Sequence, residues 1–276
     1  MVLWLVVGLI LPGIFLILAR VLADNGEGTS VLTVGVELPT KLLSAAALVL
    51  ATWLVSRRQK RSLGHYGVPM NLAFGWRFWE GCVWGFAMLS FLLLPLYVTG
   101  DFRVNAVALS HGAFLRYAVL WALTFLGVSV GEELTFRGYL LYLAARRIRF
   151  WPASLALSAG FAIAHIPNPG ETFVGILQVA GTGLLLCFTL RRTGNLWFAF
   201  GYHAAWDWAQ TFFYGTPDSG LLAVGYFLNT SIRGPKWLTG ASTGPEGSVL
   251  ALFVLGLAAA LVHVRFPRPV YPDRPE

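Results

Sequence analysis

The sequence predicts an all-α fold, a polytopic membrane helix bundle of about eight transmembrane helices. Three observations predict it. Of the 276 residues, 57% are hydrophobic and only 12% charged, about half the roughly 25% of a soluble domain. Apolar runs near the twenty residues that cross a bilayer recur along the chain. Basic clusters close every second run, as alternating crossings require.

The runs follow in order. Residues 1–22 open on Met1-Val2-Leu3-Trp4 with no basic leader. Their apolar run exceeds the roughly 7–15 residues of a signal peptide, so a retained first span is expected. The second run, 37–56, ends at Arg57-Arg58-Gln59-Lys60-Arg61, and the third covers 73–98. The fourth, 113–145, is too long for one straight crossing. With Gly127, Gly131 and Gly138 inside it, a tilt or bend is expected. Runs at 151–167, 173–190, 195–213 and 247–264 complete the set. Arg146, Arg147 and Arg149 follow the fourth run, Arg191 and Arg192 the sixth, and Arg265, Arg268 and Arg274 the eighth.

The intervening loops carry Asp24 and Glu27, then Asp101 with Arg103, then Glu171, then Asp218, Arg233, Lys236 and Glu246. The positive-inside rule then puts both termini in the cytoplasm, with a prokaryotic plasma membrane as the expected location. Residues 214–246, rich in Gly, Pro, Ser and Thr, read as the largest extracytoplasmic loop and a cap. The proline-bearing tail 265–276 reads as irregular. No internal repeat divides the chain, so residues 1–276 form one integral membrane domain.

Composition also excludes. The net charge of +7 sits at span ends, where it meets lipid headgroups, so no nucleic-acid partner is implied. The eleven tryptophans suit the membrane interface. Cys82 and Cys187 lie far apart in apolar runs and read as buried hydrophobes without a disulfide.

Three polar clusters interrupt the apolar runs: Glu132-Glu133-x-x-x-Arg137, Phe161-x-x-x-His165 and His203-x-x-x-Asp207. Ionisable groups at bilayer depth are costly and persist where they meet partners, water or substrate. Counted from their basic anchors at 1.5 Å per residue, Glu132, His165, His203 and Asp207 lie about 17–24 Å deep. A shared site demands such a common level. Glu133 and Arg137, four apart, share a helix face and can pair. Glu132 points about 100° away from Glu133 and is left to face a cavity. Asp207, four residues after His203, could hold that ring and fix its tautomer. Carboxylates and imidazoles together can activate water. A second carboxylate beside Arg137 exceeds what a structural ion pair needs.

The segments GEELTFRGYL (131–140), FAIAHIPNP (161–169) and HAAWDW (203–208) resemble the three ordered motifs of the CPBP family. These are the CAAX proteases and bacteriocin-processing enzymes, also called Abi proteins. The resemblance covers about 113–213, the expected motif-bearing core. It implies an intramembrane endopeptidase acting on a membrane-anchored or membrane-embedded peptide, by CAAX-type processing or by bacteriocin maturation and self-immunity. By resemblance, Glu132 activates water with Glu133 and Arg137 in support, although Glu133 stays open as the base. His165 helps hold that water, and His203 with Asp207 serves the scissile carbonyl. Many family members have Asn where this chain has Asp207. An ionised aspartate donates no hydrogen bond, so orienting His203 is its expected task.

The family is commonly labelled metalloprotease. Glu132, His165 and His203 are the donors a zinc ion would find here. No His-Glu-x-x-His helix is present, and the preferred reading requires no cofactor. Membrane lipids and a membrane-associated peptide or protein substrate, entering between helices or from the cytoplasmic face, are the expected partners. Two other readings stand beside this one: an ion- or proton-coupled transporter, which the missing inverted repeat disfavours, and a non-catalytic membrane scaffold. Asn168 is expected to cap its helix or touch the site. Trp206 and Trp208 are expected to pack, Glu37–Lys41 to pair at the surface, and Arg77–Glu80 to pair structurally.

Overall fold

Long apolar helices carry the chain in the computed structural model. It describes residues 1–10, 13 and 31–276. Helix makes up 71% of the structure and strand very little, which bears out the all-α class. Helix α1 (Val2–Leu5) continues as a π-helical stretch, Val6–Ile10. The rest of the expected first span, apart from Gly13, lies outside the described residues, as do Asp24 and Glu27.

Helices α2 (Val34–Gln59) and α3 (Trp76–Thr99) cover the second and third runs. The long fourth run does bend. Helix α4 (His111–Glu133) passes into a π-helical stretch, Leu134–Tyr139, and then into α5 (Leu140–Ile148). Gly138 leaves helical geometry there, at φ −86° and ψ −116°. Helices α6 (Phe150–His165), α7 (Phe173–Thr193) and α8 (Trp197–Asp207) follow. Helix α8 also runs into a π-helical stretch, Trp208–Phe213. A short α9 (Lys236–Thr239) precedes α10 (Val249–Arg265). Thr172 caps α7 by accepting from the Gly175 amide, and Ser248 caps α10 by accepting from Ala251. Such caps satisfy amides that the helix itself cannot.

Strand content is confined to one end of the bundle. There β1 (Val31–Leu32) pairs in parallel with β3 (Leu222–Ala223), and β2 (Phe102–Val107) pairs antiparallel with β4 (Leu228–Ile232). This end holds most of 214–246. The other end holds the basic clusters after α2, α5 and α7. The tail after α10 returns to it: Arg192 donates to the carbonyls of Phe266 and Pro267, and the Phe150 amide donates to Asp273.

Helix α8, which bears the third motif, is locked against α3 by glycine. A methyl group on Gly81 would lie 2.2 Å from the Phe198 carbonyl oxygen, and one on Gly85 would lie 2.1 Å from that of Tyr202. On the facing helix, a methyl on Gly201 would lie 2.0 Å from the Phe78 carbonyl oxygen. The obstacles are backbone, so the helices must separate to admit one. Small residues spaced by four commonly bring membrane helices this close. Gly85→Val is therefore expected to destabilise the protein by about 1–3 kcal/mol through overpacking. It should also shift His203, one residue beyond the contact, and lower activity. Thermal unfolding in detergent alongside an activity assay checks both effects.

Candidate active site

Glu132 and Glu133 occupy the last two positions of α4, directly before the π-helical stretch. Asp207 likewise ends α8 before the second π-helical stretch. π-bulges are frequent at functional sites. The first lies within its motif and carries Arg137, and the second begins just past Asp207.

Glu133 is fully buried, and Arg137 is 1% exposed. Arg137 Nη1 donates to Glu133 Oε1 at 3.0 Å. The same oxygen lies 2.8 Å from His203 Nδ1. A carboxylate only accepts, so Nδ1–H of His203 donates to it. Glu133 on α4 thus supplies a contact to the ring that the four-residue spacing of His203 and Asp207 did not reveal. Asp207 Oδ2 sits instead 3.3 Å from Nε2 of the ring, and Glu132 Oε2 lies 3.7 Å from the same nitrogen. The glutamates diverge as expected: the Glu132 side chain is 32% exposed and faces a cavity.

His165 closes α6, which at 16 residues is about 24 Å long and stops short of a full crossing. Its Nδ1 lies 2.8 Å from the Phe161 carbonyl oxygen. That carbonyl can only accept, so Nδ1 carries the proton and Nε2 keeps its lone pair. Phe161 serves twice, because its ring also covers the Arg137 guanidinium at 4.3 Å, a cation–π contact. The second motif's phenylalanine thus ties His165 to the Glu133–Arg137 pair.

Glu132, His165, His203 and Asp207 all line one cavity of about 310 Å³. It extends from them toward the strand-bearing end, where Glu37, Lys41, Ser219 and Leu221 line it. Asn168 lines the cavity too, and its amide donates to the His165 carbonyl. Glu37 and Lys41 pair at 3.9 Å but belong to the cavity wall rather than to plain surface. Arg77 and Glu80 pair at 2.7 Å, with Arg265 joining Glu80 at 2.8 Å, a structural cluster at the basic end. Trp206 lines the cavity and donates to Gln210, whereas Trp208 donates to the Ala118 carbonyl and packs. Both cysteines are free.

Two acidic residues of the cavity were not foreseen as part of the site. Asp218 and Glu246 read in the sequence as loop charges, yet the cap folds them over the site. Glu246 accepts from the amide and hydroxyl of Ser219, and Asp218 accepts from Thr211. Burial raises both carboxyls, with nearby Asp207 adding to the shift; Glu246 rises from 4.5 to about 8, and Asp218 goes well above its ordinary range. Their sequence signal was faint, two acids in a loop rich in Gly, Pro, Ser and Thr. The folded state holds the Glu246 proton more tightly than the unfolded chain does. Its contribution to stability is therefore complete below pH 4.5 and is lost as pH rises through about 8. The unfolding temperature in detergent should fall across that window, and Glu246→Gln should flatten the fall.

Glu132, His165 and His203 are not gathered as metal ligands. Among the described residues, no three His, Cys, Asp or Glu side chains form a group able to hold a metal ion. The Nδ1 of His203 is committed to Glu133, and its Nε2 faces Asp207.

Acids and imidazoles from three apolar helices thus line one cavity. Residues 113–209 match the family model described as Rce1-like, type II CAAX prenyl endopeptidase Rce1-like. The match spans every motif residue and is consistent with the core of a CPBP-family intramembrane protease. Comparison with curated proteins and with solved structures returns no match.

Proposed function

We propose that the protein is an intramembrane endopeptidase in which Glu132 activates the attacking water. The observation that supports this reading is the division of labour between adjacent glutamates. Glu133 is spent on Arg137 and His203, while Glu132 is free, half-open to the cavity and close to His203 Nε2. A base needs that freedom and that reach.

In the reaction, Glu132 takes a proton from water held against the lone pair of His165 Nε2. The hydroxide adds to the scissile carbonyl carbon. A proton on His203 Nε2 donates to the developing oxyanion, with Glu133 bracing the ring from Nδ1. The C–N bond then breaks, and the proton on Glu132 passes to the departing amine. Water is thereby divided between the new carboxyl and the new amino group. Asp207 stands beside Nε2 and keeps the imidazole turned into the cavity. No step is routed through a metal.

The substrate class follows from the site's depth. The peptide bond must reach the cavity inside the apolar layer, so the substrate is membrane-anchored or membrane-embedded. CAAX-type processing, which the matched family's description names, sets the first substrate to try. Purified protein in liposomes is expected to release a short C-terminal peptide from a prenylated CAAX peptide, read by mass spectrometry. Cleavage only of unprenylated transmembrane peptides would move the reading to another membrane substrate. Ion flux with no cleavage of either would favour a transporter.

A further inference from the structure

Behind the site, away from the cavity, four polar atoms are buried with no partner among the described residues. They are Glu133 Oε2, Arg137 Nη2, Ser154 Oγ and Ser158 Oγ. All four residues are at most 2% exposed. An unsatisfied buried donor or acceptor costs about 1–3 kcal/mol, so four together in the rear wall call for a common connection. Arg137 Nη1 is already used on Glu133. Nη2 points toward α7, where a methyl group on Gly183 would come within 2.8 Å of it and within 2.9 Å of Ser158 Oγ. The guanidinium and the serine hydroxyl therefore flank the same spot on α7, and only glycine leaves it free. Ser158 also stands three residues before Phe161 and seven before His165, on the α6 face that carries the second motif.

We propose that Ser158 is a positioning residue for the active site. Its hydroxyl accepts from Arg137 Nη2, by rotation of the side chain or through one buried water of the kind that joins such groups. Arg137 then has both arms fixed, one on Glu133 and one on α6. Glu133 in turn holds Nδ1–H of His203. The path Ser158–Arg137–Glu133–His203 links α6 to α4 and α8, and Gly183 of α7 keeps room for it. Neither Ser158 nor Gly183 touches the reacting atoms. Their influence is on how firmly His203 is held.

This inference rests on the proposed peptidase reading, so the test has one readout within it and one outside it. Wild type, Ser158→Ala and Gly183→Ala are compared for kcat and KM on the cleaved peptide, with Glu132→Gln as the inactive control. Both variants are expected to lose about tenfold in kcat with KM within twofold of wild type, the pattern of an interaction that matters in the transition state. Independently of activity, the protein labelled with ¹⁵N at histidine is examined for the hydrogen-bonded Nδ1–H of His203. That resonance is expected to be protected in wild type and in Glu132→Gln. In Ser158→Ala and Gly183→Ala it should be broadened by exchange with solvent. If the spectra behave so but no peptide is cleaved, the positioning path stands and the peptidase reading falls. If Ser158→Ala keeps the wild-type resonance, or loses only stability while kcat holds, the proposal is overturned. Should either variant fail to fold, the other carries both readouts.

Discussion

Glu132→Gln is expected to abolish peptide cleavage and leave the fold intact. The substitution keeps the shape of the side chain and removes only its ability to take a proton. Loss of a general base typically lowers rate by about 10²–10⁴, and with this base also supplying the leaving-group proton the upper end applies. Stability should change by less than about 0.5 kcal/mol, as at other partly exposed positions. The Glu132 side chain is 32% exposed and lies 3.7 Å from His203 Nε2, a contact that glutamine can keep. Rates in liposomes and unfolding temperatures in detergent, measured on the same preparation, check the two halves together. Retained cleavage would move the base to Glu133 or out of the motif altogether.

Arg137→Met has the largest expected effect on stability. It leaves the fully buried Glu133 without its cation, and breaking a buried pair from one side costs about 3–5 kcal/mol. Activity should disappear as well, because Glu133 can no longer brace His203 in one position. The double variant Glu133→Gln with Arg137→Met separates these effects. Removing both charges is often neutral or stabilising, so the pair of substitutions should recover most of the lost stability. It should not recover activity, since the neutral amide cannot support a proton on both nitrogens of His203 as a carboxylate does. Thermal unfolding of the two variants gives the comparison. A single Arg137→Met variant as stable as wild type would mean that the guanidinium is not the partner of Glu133.

Much of this architecture was legible in the sequence because the bilayer constrains it so strongly. Apolar length alone located α2, α3, α7 and α10 to within a few residues. The length of the fourth run and its three glycines foretold a departure from straight helix, which falls at Gly138. The common depth of Glu132, His165 and His203 foretold their shared cavity, and the four-residue spacing foretold the Glu133–Arg137 pair.

Spacing was silent where a contact crosses between helices. His203 and Asp207 are one turn apart on α8, yet the proton of His203 Nδ1 is claimed by Glu133 from α4. No local pattern encodes that choice, because it depends on how α8 rotates against α3 and α4. The glycines that set this rotation, Gly81, Gly85 and Gly201, stand out only once the backbones are seen in contact. Asp218 and Glu246 escaped for a related reason. A loop charge reads as solvated until the loop folds down and buries it.

An experimental density map of the protein in lipid nanodiscs, resolved well enough to show carboxylates, tests most directly whether the three motifs build one water-activating site. Glu133 is expected at 2.8 Å from Nδ1 of His203, with Glu132 near 3.7 Å from Nε2 and His165 on the same cavity wall. A map with Glu132 or His165 turned toward lipid, or with His203 held only by Asp207, would contradict it.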